Sequence, residues 1–367
     1  MRKTVSVVID ENIPYIKGIL EPFCNVIYLK GEMIDSKSAS NADSLIIRTR
    51  TNCNSKLLEK SRVNSIFTAT IGEDHIDKDL CREMSIDIYS APGCNSMGVV
   101  QYVITSLFAL DAKKRGDLLT KKIGIIGAGN VGEGVAKVAG LLGFNVMRCD
   151  PPLKSLGISD KEYFDVTHLL KECEIITMHV PLDKSTANMC SEEFFSRMRA
   201  GSLFINTARG EITDEQALIG NSNRLGAIIT DVWRGEPQIN PVLLGLSDIS
   251  TTHIAGYSIE GKMNATSMTV RSFAKHYDIE PLKEFSISPP TADVVDFKYN
   301  RELSIYDNLN YLFQNYFAIN QESTKLKRSP EMFEKIRSEY KYRQEFTPEV
   351  LNFAVDILSN RGGDIKL

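Results

Sequence analysis

Ile123-Gly124-Ile125-Ile126-Gly127-Ala128-Gly129-Asn130-Val131-Gly132 is the stretch that decides the fold. A β-prone run enters three glycines spaced G-x-G-x-x-G, and Val131, Val135, Val138 and Leu142 follow at helical spacing. Strand, glycine turn and helix stand in the order a dinucleotide-binding unit requires. The first glycine (Gly127) permits a tight turn, the second (Gly129) lets the backbone approach a pyrophosphate, and the third (Gly132) lets the helix pack closely on the strand. The pyrophosphate would rest on the helix N-terminus. A second strand at 145–149 ends in Asp150, an acid placed to bond the adenosine ribose hydroxyls and to repel a 2′-phosphate. That favours NAD, while Arg148 and Lys154 keep NADP open.

Outward from this stretch the alternation continues. Residues 175–180, 202–206 and 227–232 read as further strands, and 4–9, 44–47 and 65–69 as an earlier series, so the pattern is that of parallel α/β sheets. Between the two series, Val99, Val100, Val103, Leu107 and Leu110 have the spacing of a buried helix. After about residue 284 the character changes. Ile305, Leu309, Leu312, Phe313, Tyr316 and Phe317 form a helical stripe that can bury against its own chain or against a partner, its aromatic content favouring the partner, and a charged helix is expected over 330–344.

Composition narrows the function. Across 367 residues, 43 basic and 47 acidic side chains give a net charge of -4, without the dense Lys/Arg run of a nucleic-acid or membrane-surface binder. The longest apolar stretch, 99–110, falls short of the roughly 20 residues a spanning helix needs. Seven cysteines lack any C-x-x-C pair, which reads as reduced thiols in the cytoplasm and as no metal site. Cys94 reads as an incidental small residue rather than a nucleophile, because no base flanks it. A small-molecule substrate is the expectation.

Three motifs carry chemistry: Arg209 in Asn206-Thr207-Ala208-Arg209-Gly210, Glu236 in Asp231-Val232-Trp233-Arg234-Gly235-Glu236-Pro237, and His253 in Thr251-Thr252-His253-Ile254-Ala255-Gly256-Tyr257. Oxidation of a 2-hydroxy acid makes three demands that these residue types meet. A guanidinium can grip the carboxylate, an imidazole can take the hydroxyl proton as hydride leaves, and a carboxylate can fix the imidazole tautomer. Asn206, Thr207, Arg209, Asp231 and Glu236 fall at or just past predicted strand ends, where such sheets bind ligands. Arg48, at the end of another predicted strand and next to Thr49, is a candidate cation for a second anionic group, or equally a surface arginine paired with an acid. His75 reads as a structural hydrogen-bonding residue, with shaping of the substrate pocket as the alternative, and His168, His179 and His276 read as structural or surface residues.

Several longer stretches are also distinctive: Val8-Ile9-Asp10-Glu11-Asn12-Ile13-Pro14, Ala69-Thr70-Ile71-Gly72-Glu73-Asp74-His75-Ile76-Asp77, Ala91-Pro92-Gly93-Cys94-Asn95, Cys149-Asp150-Pro151-Pro152, residues 253–262 and the tail 333–340. By these residues the chain resembles the NAD-dependent D-2-hydroxyacid dehydrogenases, and within that family a member acting on a phosphorylated four-carbon acid. The resemblance spans nearly the whole chain and implies a Rossmann NAD-binding domain (96–253) inserted in a flavodoxin-like α/β substrate domain (1–95, completed by 254–283). A C-terminal α+β dimerisation domain (284–367) would make the protein a homodimer.

The resemblance further implies that Arg209 binds the carboxylate, that His253 is the base and that Glu236 supports it, with substrate in a cleft between lobes. Thr49, Thr70 and Tyr257 match substrate-contact positions. Asn130, Val131, Asp150, Thr177, Thr207, Ala208, Asp231 and Gly256 match cofactor-contact positions beside the glycines. Glu73 and Gln101 depart from the family pattern. Arg337 or Arg343 from a partner's tail is a further candidate for the same cleft. Two other readings stay open: a dehydrogenase of phosphoglycerate or of glycerate/hydroxypyruvate, and a non-catalytic NAD(H)-sensing scaffold.

Overall fold

The computed structural model describes residues 4–114, 118–157, 162–289 and 297–359. The chain forms two compact units, Met1–Asn95 with Ile259–Thr291, and Ser96–Ser258 with Ala292–Leu367.

The first unit is built on a parallel sheet of β1 (Ser6–Asp10), β2 (Asn25–Leu29), β3 (Ser44–Ile47), β4 (Ser65–Thr68) and β5 (Asp87–Tyr89), in the order β2-β1-β3-β4-β5. This is the flavodoxin-like order, whose direction reverses between β1 and β3. β3 and β4 are buried throughout, as strands covered on both faces must be. The helix Ile259–Tyr277 completes this unit: Val270, Phe273 and Ala274 share a core with Val7, Ile9 and Phe67. Tyr277 Oη lies 2.8 Å from Ser65 Oγ.

The second unit has a six-stranded parallel sheet of β6 (Lys122–Ile126), β7 (Asn145–Cys149), β8 (Ile175–Met178), β9 (Leu203–Asn206), β10 (Ala227–Thr230) and β11 (Ile249–Ser250). Its order, β11-β10-β9-β8-β6-β7, is the Rossmann pattern with its reversal between β6 and β8. Successive side chains alternate between two cores. Ile175, Leu203, Ile205 and Ile229 join Val103, Leu107 and Leu110 of the helix Ser96–Lys114 on one face, while Ile176, Met178, Phe204 and Ile228 meet Phe194, Phe195 and Trp233 on the other.

The C-terminal stripe turns inward. Leu309, Leu312 and Phe313 of helix Ile305–Tyr316 are wholly buried in the core that contains Val103 and Leu107, and the rings of Phe108 and Phe313 meet edge-on at 5.0 Å. The expectation that this stripe faces a partner is therefore corrected, because its own chain covers it. The charged helix expected over 330–344 is also corrected. It is helical only as far as Ser338, as a 3-10 turn Pro330–Met332 leading into the helix Phe333–Ser338, after which the chain runs out to pair Arg343 with Ser258 in a parallel bridge. Tertiary bonds to Arg343 override the helical propensity of Lys341, Arg343 and Gln344 there.

Candidate active site

The glycine turn has the geometry its residues demand. Gly127 has φ +89, and a Cβ there would lie 2.6 Å from the carbonyl carbon of His179. A Cβ on Gly132 would lie 1.9 Å from the Gly127 carbonyl oxygen, so only glycine fits either place. A Cβ on Gly129 meets open space. Gly129 caps the helix Asn130–Leu141 without a side chain, leaving that helix N-terminus open to an anion. The residues present thus fit a dinucleotide.

Asp150 accepts from Ala128 N at 2.9 Å and from Leu153 N at 3.0 Å, which anchors its partly exposed carboxylate at the turn. Arg148 pairs with Glu133 at 3.1 Å and Lys154 with Asp165 at 3.0 Å, so the charges that kept NADP open face carboxylates. Thr177 and Thr207 flank the His179 ring, at 3.0 Å from Nε2 and 3.4 Å from Nδ1. Desolvation pushes that imidazole down to about 3, so it is a neutral bridge between two strand ends.

Arg209, Asp231 and His253 follow the carboxyl ends of three neighbouring strands, β9, β10 and β11. Asn206 shapes the first turn, accepting from Ala208 N at 3.0 Å and donating to Arg209 O at 2.9 Å. A Cβ on Gly210 would lie 2.1 Å from the Trp233 carbonyl carbon, so the Arg209 turn lies directly against the loop leading to Glu236. The buried Trp233 ties that loop onward, its Nε1 donating to Thr251 O at 2.8 Å.

His253 has φ +58, a left-handed backbone uncommon outside glycine. Its backbone N–H donates to Asp231 O at 2.7 Å. Its Nδ1 lies 2.9 Å from Glu236 Oε2, and Glu236 Oε1 accepts from Trp233 N at 2.9 Å. Burial pushes the Glu236 carboxyl up, but His253, the Trp233 amide and the more distant Arg337 outweigh it and hold the group below the ordinary carboxylate range. An ionised carboxylate only accepts, so Nδ1 carries the proton and the Nε2 lone pair is left to take another. Nε2 makes no hydrogen bond among the described residues, and 29% of the side chain stays exposed.

Asp231 is wholly buried, its carboxylate accepting from Thr251 Oγ1 (2.6 Å), Ile254 N (2.8 Å) and Ala255 N (2.8 Å). In this structure it holds the His253 loop.

Further contacts to the His253 loop come from the tail of the same chain. Arg343 is buried and donates to the carbonyls of Ile254 (3.0 Å), Tyr257 (3.0 Å), Gly98 (2.8 Å) and Ala255 (2.5 Å), with Nε on Gln101 Oε1 at 2.9 Å. Its guanidinium also lies over the Phe317 ring, 4.0 Å from the centroid. Gln101 thus serves as a neutral acceptor and also donates to Gln344 O at 2.9 Å. Arg337 donates to Tyr257 Oη at 3.2 Å and lies 3.8 Å from Glu236 Oε2. Both arginines reach the His253 loop from within their own chain, which corrects the expectation that a partner's tail supplies them. Only the cationic residue type could have pointed to them, since they are 80 or more positions from what they hold.

In the first unit, Arg48 follows β3 and pairs with the wholly buried Asp10 at the end of β1, Nε to Oδ2 3.0 Å, so the pair marks the strand-order reversal of that sheet. Thr49 is exposed, and Thr70 bonds Thr68 Oγ1 at 2.7 Å and Gly72 O at 2.9 Å. Glu73 pairs with Lys78 at 2.6 Å, and Cys94 is buried. Among the described residues no His/Cys/Asp/Glu cluster is placed to hold a metal, and no helix is long and apolar enough to cross a membrane.

Residues 106–255 match the family model described as "D-isomer specific 2-hydroxyacid dehydrogenase, NAD binding domain". The chain is 39% identical over 93% of its length to an erythronate-4-phosphate dehydrogenase of Bacteroides thetaiotaomicron, covering 97% of that protein. The chain belongs to the erythronate-4-phosphate dehydrogenase family. A second member, from Porphyromonas gingivalis, is 33% identical over 93% of the chain and is covered to 94%. A D-lactate dehydrogenase of Aquifex aeolicus, solved with NAD and lactic acid, has the same fold: TM-score 0.64, 24% identity, 78% of this chain and 100% of that one. The NAD-binding stretch contains the glycine turn, Arg209, Glu236 and His253, whereas Tyr257, Arg337 and Arg343 lie beyond it.

Proposed function

We propose that this chain oxidises 4-phospho-D-erythronate to 3-hydroxy-2-oxo-4-phosphooxybutanoate with NAD, a step in the supply of pyridoxal phosphate. NAD, when bound, supplies the hydride acceptor. The observation that carries the reading is the His253–Glu236 pair, with Nδ1 engaged at 2.9 Å and Nε2 open, in a chain of this family. His253 Nε2 takes the C2 hydroxyl proton, and Glu236 stabilises the imidazolium that forms. Arg209 grips the substrate carboxylate.

Arg48, Thr49, Thr70 and Tyr257 contact the phosphorylated substrate. Gly127, Gly129, Asn130, Val131, Gly132, Asp150, Thr177, Thr207, Ala208, Asp231 and Gly256 form the cofactor seat. The seven free cysteines support a cytoplasmic enzyme. A homodimer through the C-terminal segment is part of the proposal, using a surface other than the buried stripe.

The test is NADH formation with a panel of phosphorylated and plain 2-hydroxy acids. Turnover confined to plain acids or to 3-phosphoglycerate would move the substrate. No turnover, with NADH still bound, would favour a sensing scaffold.

A further inference from the structure

Most cations beside the His253 loop face well-defined acceptors. Arg343 is surrounded by carbonyls and Gln101, and Arg234 bonds Asn188 Oδ1 and the carbonyls of Glu211 and Thr213. Arg337 differs. Its side chain is only 18% exposed, yet its hydrogen bond is to a neutral phenol, Tyr257 Oη at 3.2 Å. Its nearest carboxylate oxygen, Glu236 Oε2, lies at 3.8 Å and is already held by His253 Nδ1 at 2.9 Å. Among the described residues its Nη2 makes no hydrogen bond. A largely desolvated guanidinium so weakly compensated is costly unless a ligand completes it.

The ligand suited to a planar cationic fork is an oxyanion that accepts bidentately, and a phosphate monoester presents such oxygens. Tyr257, already read as a substrate contact, lies under the same guanidinium, whose carbon is 5.8 Å from the ring centroid. Arg48, the cation first assigned to the phosphate, already faces the buried Asp10 carboxylate at 3.0 Å. Arg337 also lies well outside residues 106–255, the NAD-binding stretch common to the wider family. It is therefore placed to add a requirement that this stretch does not contain.

We propose that Arg337 is a specificity-determining residue whose guanidinium takes the phosphate oxygens of the substrate, so that the chain discriminates phosphorylated from plain 2-hydroxy acids. This rests on the reading that the substrate is a phosphorylated acid whose hydroxyl is deprotonated by His253.

The test compares wild type, Arg337→Ala and Arg337→Lys with 4-phospho-D-erythronate and with D-erythronate. Binding of 4-phospho-D-erythronate to the enzyme–NADH complex, which cannot turn over, gives an independent readout by calorimetry. Removing one charge-assisted contact predicts a KM and a Kd for the phosphorylated acid raised about ten- to hundredfold in the Ala variant. The Lys variant should be intermediate, and kcat/KM for D-erythronate should change less than about threefold. Equal losses for both acids, carried by kcat with Kd unchanged, would make Arg337 a positioning residue for Glu236 and overturn the proposal. Retained NADH affinity and melting temperature certify each variant; if the Ala variant fails them, the Lys variant carries the same comparison. Wild type inactive on 4-phospho-D-erythronate would overturn the substrate reading and this inference together. Wild type active with unchanged variants would overturn this inference alone.

Discussion

Asp231 and His253 are joined through the backbone: the His253 N–H donates to the Asp231 carbonyl at 2.7 Å, while the Asp231 carboxylate takes the next two amides, Ile254 and Ala255. The left-handed His253 backbone is held by this clamp, so the ring is aimed by a residue it does not touch with its side chain. Asp231→Asn would turn one of those acceptors into a donor facing N–H groups. We expect a loss of about 2–4 kcal/mol in unfolding free energy, together with a lower kcat, measured by denaturation and steady-state kinetics. Unchanged stability would contradict the clamp.

Glu236→Gln tests the tautomer argument. Without an acceptor-only partner, Nδ1 can become the unprotonated nitrogen and Nε2 the wrong one, and kcat should fall about 10²–10⁴-fold with a small change in KM. A change carried by KM alone would assign Glu236 to substrate binding instead.

The same residue sets a pH dependence. Its folded carboxyl lies below the ordinary range, so its contribution to stability is present above the unfolded value of about 4.3 and is lost as pH falls through the lower folded value. Urea titrations of wild type should show stability falling as pH drops below about 4, and Glu236→Gln should flatten part of that fall. A variant with the same slope as wild type would remove Glu236 from the acid limb.

Gly129→Ala and Gly132→Ala should behave in opposite ways. The first adds a Cβ to open space on the approach to the pyrophosphate, so the protein should melt as wild type does while KM for NAD rises tenfold or more. The second drives a Cβ to 1.9 Å from a backbone oxygen and should abolish the soluble folded enzyme.

Arg343→Ala leaves the carbonyls of Gly98, Ile254, Ala255 and Tyr257 and the Gln101 side chain without their common donor. The expected cost is about 3 kcal/mol or more, with loss of activity from a displaced His253 loop. A stable variant with normal kcat would show that the tail does not position that loop.

How much of this was legible beforehand follows from what local patterns encode. The glycine turn, the buried central strands and the three motif residues were readable because each depends on neighbours in sequence. β2 and β5 were not: both are sheet edges, with exposed positions breaking the apolar run. The stripe 305–317 was legible as a face to be buried, but periodicity does not say against what, and its own chain supplied the cover. Arg337 and Arg343 sit in an ordinary charged segment, and their roles arise only when distant stretches meet.

The central claim is tested most directly with 4-phospho-D-erythronate carrying deuterium at C2. With NAD, wild-type enzyme should produce NADH one mass unit heavier, and a His253→Gln variant that still binds NADH should lose this transfer by about 10²-fold or more. Unlabelled NADH, or equal transfer by the His253 variant, would contradict the account.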